Sequence, residues 1–126
     1  MMTDDHLVWN GDSRELLRQV PDASVDLICT DPPYNLGAYS TGNIKLSWRS
    51  DFNNDIADWD QQSFDPGEWL GEFRRVLRPA GTIFAFTSYN LLGRWHQVFD
   101  PAFDTFQFIV WHKTNPPPKL RRAGFL

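Results

Sequence analysis

The chain is expected to fold as an α/β unit, a mostly parallel sheet flanked by helices. Strand-like and helix-like stretches alternate along its 126 residues, the order that lays helices over the faces of a parallel sheet. Residues 25–30 (Val-Asp-Leu-Ile-Cys-Thr) are largely apolar without alternation, as an interior parallel strand should be. That run ends at Asp31-Pro32-Pro33. Two successive prolines cannot donate ladder hydrogen bonds, so the sheet must stop there.

Taken in order, residues 6–10 (His-Leu-Val-Trp-Asn) read as a short first strand closed by a turn at Gly11. Asp12 reads as an N-cap, and Glu15 three residues on completes a capping box. The helix it opens carries Leu16, Leu17 and Val20 on one side and stops at Pro21. The strand over 25–30 follows. Residues 35–63 are rich in Asn, Asp, Ser and Gly and show no clean period; a loop this long inside a compact domain is usually functional or mobile. Asp65-Pro66-Gly67-Glu68 combines an N-cap, a first-turn proline and an N3 glutamate, a strong helix start. Trp69, Leu70, Phe73 and Leu77 then recur at helical spacing as a core stripe, and Pro79-Ala80-Gly81 ends that helix. Residues 82–87 form the next strand, Asn90 to about Phe99 a further helix, and 106–111 (Phe-Gln-Phe-Ile-Val-Trp) the last strand.

A length of 126 residues suits one domain with a modest core. Aromatic residues make up 15% of the chain, with six Trp, so there are large rings to bury or stack and no case for disorder. No apolar run is long enough for a transmembrane helix, and residues 1–6 are too polar for a signal peptide. The expected location is the cytoplasm. Cys29 is the only cysteine and is expected to be a small buried core residue. His6, His96 and His112 show no metal-ligand spacing.

The net charge of −4 hides an asymmetry. Residues 1–68 hold four basic against 13 acidic residues, whereas residues 69–126 hold eight against three. A polyanion would approach the second half, where Lys113, Lys119, Arg121 and Arg122 cluster. A solvated tail accounts for the same four residues equally well.

The chemistry lies at Asp31-Pro32-Pro33-Tyr34. Ligands of open α/β sheets bind just beyond the carboxyl ends of the strands, which is where this tetrapeptide stands. An exocyclic amine such as adenine N6 is a poor nucleophile, because its lone pair is delocalised into the ring. A site that methylates it must aim that lone pair at the methyl donor, which takes one fixed acceptor for each N–H. The Asp31 carboxylate and the backbone carbonyl of Pro32 would supply the two. Pro33 restricts Pro32 to extended backbone, so the carbonyl is pre-aimed. Tyr34 offers a flat face for an extruded base. The contribution is positioning and electrostatics without a covalent intermediate.

Residues 25–36, ending in Asp31-Pro32-Pro33-Tyr34-Asn35-Leu36, resemble motif IV of the adenine-N6 DNA methyltransferases. The likeness is to their permuted β group, in which this motif lies near the N-terminus. Trp9-Asn10-Gly11-Asp12, Asp58-Trp59-Asp60, residues 72–81 and residues 109–116 (Ile-Val-Trp-His-Lys-Thr-Asn-Pro) resemble the same group, in its order and at similar spacings. The resemblance implies a partial Rossmann-like S-adenosylmethionine-dependent methyltransferase fold, with S-adenosylmethionine as cofactor and double-stranded DNA as partner. It also implies that Asp31 and the proline carbonyl hold N6 while Tyr34 stacks on the flipped adenine. Asp12 and Asp31 would face the cofactor, although capping explains Asp12 equally well. Lys113, Lys119, Arg121 and Arg122 join Tyr34 as expected DNA contacts, and a homodimer of the full-length protein is compatible with the pattern.

The group's Phe-x-Gly-x-Gly cofactor loop has no counterpart among the eight glycines here. The chain is therefore expected to be the N-terminal catalytic half of a longer enzyme, lacking the cofactor loop and target-recognition region and inactive alone. Missing parallel strands would leave an exposed sheet edge. Two other substrates use related motifs: cytosine N4, usually with Ser first, and a protein glutamine side chain, with Asn first. Asp31 favours adenine. A non-catalytic DNA-binding remnant, using the basic stretch and aromatic rings, is the alternative from a different class.

Overall fold

The computed structural model describes residues 6–35, 43–44, 52–53 and 63–115. Asp12 caps α1 (Ser13–Leu16), its carboxylate accepting from the Arg14 amide at 2.9 Å. The reciprocal half of the expected capping box does not form. Glu15 instead turns forward to Arg18, one turn along, at 2.9 Å, where a full opposite charge outcompetes a backbone amide. A 3-10 turn, Leu17–Gln19, continues the helix. Val20 then swings to extended backbone (ψ 128°), as a residue before proline must.

The sheet is built from β1 (Val25–Thr30) and β4 (Leu77–Ala85), which run parallel. Between them in sequence, Asn43–Ile44 (β2) and Phe52–Asn53 (β3) form a short antiparallel pair inside the stretch expected to be loop. Asp65 caps the 3-10 turn Pro66–Glu68 through the Gly67 amide at 2.9 Å. This turn leads into α2 (Leu70–Val76), as the Asp-Pro-Gly-Glu start anticipates. The chain passes from α2 into β4 without a separating loop. Register runs Val25 to Leu77, then jumps to Leu27 opposite Thr82, so Arg78 to Gly81 bulge out of the ladder. The helix ends at Val76, ahead of the expected Pro79-Ala80-Gly81 stop, and those three residues lie within the strand. The final helix, α3 (Leu92–Phe99), runs into a 3-10 turn, Asp100–Ala102.

Phe64, Phe73, Leu91, Trp95 and Phe99 form the buried cluster, and Ile28, Ile83 and Ala85 pack against it from one face of the sheet. Trp95 and Phe99 lie 4.8 Å apart between ring centroids, and Phe99 stacks on Phe103 at 5.9 Å. The opposite face is largely uncovered among the described residues. Leu27 is 53% exposed, and Cys29, Phe84 and Phe86 also stand in the open. Cys29 is therefore not the buried core residue expected, because its strand is covered on one side only.

The strands expected at 6–10 and 106–111 are likewise not formed. Neither segment enters a ladder, and Val8 is 92% and Trp111 70% exposed. Apolar, β-branched composition favours a strand only where a neighbouring edge accepts its hydrogen bonds. These two segments pair with no strand among the described residues. Phe106 lies edge-on to His96 at 5.1 Å, while Trp111 approaches Phe86 at 5.8 Å.

Candidate active site

The last rung between the strands is the Phe86 amide donating to the Thr30 carbonyl at 2.9 Å. The next residue is Asp31. Pro32 and Pro33 have no N–H to extend the ladder, so the chain leaves the sheet at this point. Asp31 is exposed, and residues 32–35 are half-buried. The Tyr34 hydroxyl donates to the Asp31 carboxylate. No donor among the described residues reaches the Pro32 carbonyl. Asp31 and that carbonyl thus stand together at the carboxyl end of β1.

Two contacts from distant parts of the chain hold the turn. Asn35 adopts left-handed backbone (φ 56°), a conformation asparagine tolerates better than most residues. Its carboxamide pairs with the Phe64 backbone in both directions: Nδ2 donates to the carbonyl at 2.9 Å, and the Phe64 amide donates to Oδ1 at 2.7 Å. Phe64 is itself buried against Trp69, with centroids 4.9 Å apart. On the other side, Asn90 Nδ2 donates to the Tyr34 carbonyl at 3.1 Å, with Ser88 Oγ at 3.3 Å. Ser88 Oγ also contacts Asn90 Oδ1.

Asp12 stands differently. Its carboxylate takes the Arg14 amide and the Arg14 guanidinium, with the closest approach at 2.7 Å. These bonds from Arg14 hold its pKa down, to about 2. Arg14 in turn reaches Glu68 at 3.2 Å and lies 5.6 Å over the Trp69 ring, while Trp69 Nε1 donates to Ser13. Arg14, held by Asp12, therefore ties α1 to the turn before α2. The Asp12 side chain remains 45% exposed. The exposed Asp31 carboxylate and the Pro32 carbonyl place two acceptors side by side, as the amine side of a methylation site needs.

Of the expected DNA contacts, Lys113 is exposed with its Nζ 5.7 Å from the Trp111 ring centroid. Lys119, Arg121 and Arg122 lie outside the described residues. No helix among those residues is long and apolar enough to cross a membrane. Sequence reading missed Ser88 and Asn90 as site residues, taking Asn90 as the first residue of a helix. The available signal was topological: the loop after a strand parallel to β1 must open at the same end of the sheet.

A family model described as DNA methylase, covering N6 and N4 methyltransferases, matches residues 25–125. The chain is 33% identical over 121 residues to the Type II methyltransferase M2.LlaDCHI of Lactococcus lactis subsp. cremoris, covering 90% of this chain and 44% of that protein. It is 29% identical over 125 residues to the Type II methyltransferase M.HinfI of Haemophilus influenzae, covering 94% of this chain and 34% of that protein. It thus spans less than half the length of either relative. The matched region runs from β1 through the Asp-Pro-Pro-Tyr turn and the loop that clamps it, and the chain belongs to the N6/N4 DNA methylase family.

Proposed function

We propose that the full-length protein transfers a methyl group from S-adenosylmethionine to adenine N6 of a base flipped out of double-stranded DNA. The observation that carries this reading is the pair of acceptors at the end of β1: an exposed carboxylate and, one residue on, a carbonyl with no donor among the described residues. One accepts each N–H of the amine, which turns the lone pair out of conjugation and toward the donor. The cofactor supplies an electrophilic methyl group. Before substrate arrives, the Tyr34 hydroxyl occupies one lone pair of Asp31 and keeps the carboxylate oriented. The Tyr34 ring then offers the stacking face for the extruded base. Adenine is favoured over cytosine by the carboxylate in the first position of the motif. Residues 1–126 on their own give negligible turnover.

Labelled S-adenosylmethionine and duplex DNA, followed by digestion to nucleosides, test this directly. The full-length gene product should yield N6-methyladenine. Label on cytosine N4, or none at all, would overturn the assignment. Asp31→Ala should abolish transfer while leaving salt-sensitive DNA binding nearly unchanged. Loss of binding alone would favour a non-catalytic DNA-binding remnant, and robust methylation by residues 1–126 would refute the fragment claim.

A further inference from the structure

Asn90 stands two residues before the start of α3 (Leu92–Phe99), one residue before its N-cap, Leu91. The Asn90 carboxamide reaches 56 residues back along the chain and donates to the Tyr34 carbonyl at 3.1 Å. Ser88 Oγ contacts both Asn90 Oδ1 and the Tyr34 carbonyl. With one hydroxyl proton it serves only one acceptor at a time, so Asn90 Nδ2 is the constant donor. Donation from Ser88 to Oδ1 also turns the amide so that its NH₂ faces Tyr34.

The opposite side of Tyr34 is held by Asn35 on the Phe64 backbone. Phe64 belongs to the core, its ring 4.9 Å from Trp69 and 6.1 Å from Trp95. The Tyr34 peptide is therefore pinned on one side by buried structure and on the other by an exposed carboxamide. Only the second pin comes from the loop after β4. Since the Tyr34 hydroxyl meets Asp31, the pin also bears on where the carboxylate stands.

We infer that Asn90 is a positioning residue for methyl transfer. Its amide holds the Tyr34 carbonyl and so sets the stacking ring and Asp31 against the target base. The inference rests on the methylation reading of this site.

The test uses the full-length gene product with Asn90→Ala and the near-isosteric Asn90→Asp, whose carboxylate cannot donate to a carbonyl. In single-turnover methylation both variants should fall by roughly 10- to 100-fold, the scale of a misplaced reacting group. DNA affinity and unfolding midpoint should stay close to wild type, since Asn90 is exposed. Ser88→Ala, which removes only the hydroxyl that orients the amide, should give a smaller fall in the same direction. Wild-type rates in both Asn90 variants would overturn the inference. So would a loss in Asn90→Ala with full activity in Asn90→Asp, because packing rather than donation would then be at work. A loss that merely follows weakened DNA binding or global unfolding would also overturn it. A wild-type protein that methylates no DNA would instead remove the underlying reading of the site.

Discussion

Asp12 shows how one carboxylate can do two local jobs. It caps α1 and pairs with Arg14. The guanidinium and amide of Arg14 hold its pKa at about 2, below its ordinary 3.8. Glu72 and Asp65 are lowered too, by hydrogen bonds from Arg75 and from Arg94 respectively. A carboxylate depressed on folding contributes stability that is fully present above its unfolded pKa and is lost as pH falls through the folded one. For Asp12 that window runs from about pH 4 down to about pH 2. Asparagine caps as well as aspartate does, so Asp12→Asn removes the charge and keeps the cap. Denaturant midpoints of wild type and Asp12→Asn should differ at pH 5 and converge as pH falls to 2. High salt should shrink the difference, because the pair is exposed.

At the scale of elements, local chemistry was legible and its setting less so. The Asp65 and Asp12 caps, the start of α2 and the end of β1 at two prolines were all readable, because each depends on residues adjacent in sequence. The bulge in β4 was legible only as a helix stop. Proline and glycine interrupt a ladder as readily as they end a helix, and only the partner strand distinguishes the two. Gly81 is the residue the bulge requires: a Cβ there would lie 2.7 Å from Leu77 Cδ2 and 3.0 Å from the Arg78 carbonyl oxygen. Leu77 is buried and can yield little. Gly81→Ala should therefore destabilise by about 1–3 kcal/mol, the usual range for overpacking, as measured by denaturant unfolding. An alanine at Gly71, where a Cβ meets nothing within 4 Å, should be neutral or mildly stabilising as a helix former.

For the whole molecule, the stabilising mass sits on one side of the sheet. Phe99 is its hub, contacting Trp95, Phe73 and Phe103 at 4% exposure. Phe99→Ala should cost about 3–5 kcal/mol, by lost transfer energy and the cavity left behind, and should lower the thermal midpoint well beyond the effect of Gly81→Ala. The largely uncovered second face, with Leu27, Cys29, Phe84 and Phe86 exposed, explains why burial was misjudged for Cys29. An apolar strand states that it can be covered, and says nothing of whether a covering element is present. The same holds for residues 6–10 and 106–111, whose composition favours strand but which meet no partner edge among the described residues. By itself the sequence determined the reactive tetrapeptide, the strand that presents it and the helix caps, because those depend on short-range sterics and hydrogen bonding. Only the tertiary structure decided that Asn90 reaches Tyr34 and which face of β1 is buried. Each of these is a competition between partners far apart in the chain, and packing settles which partner comes within reach.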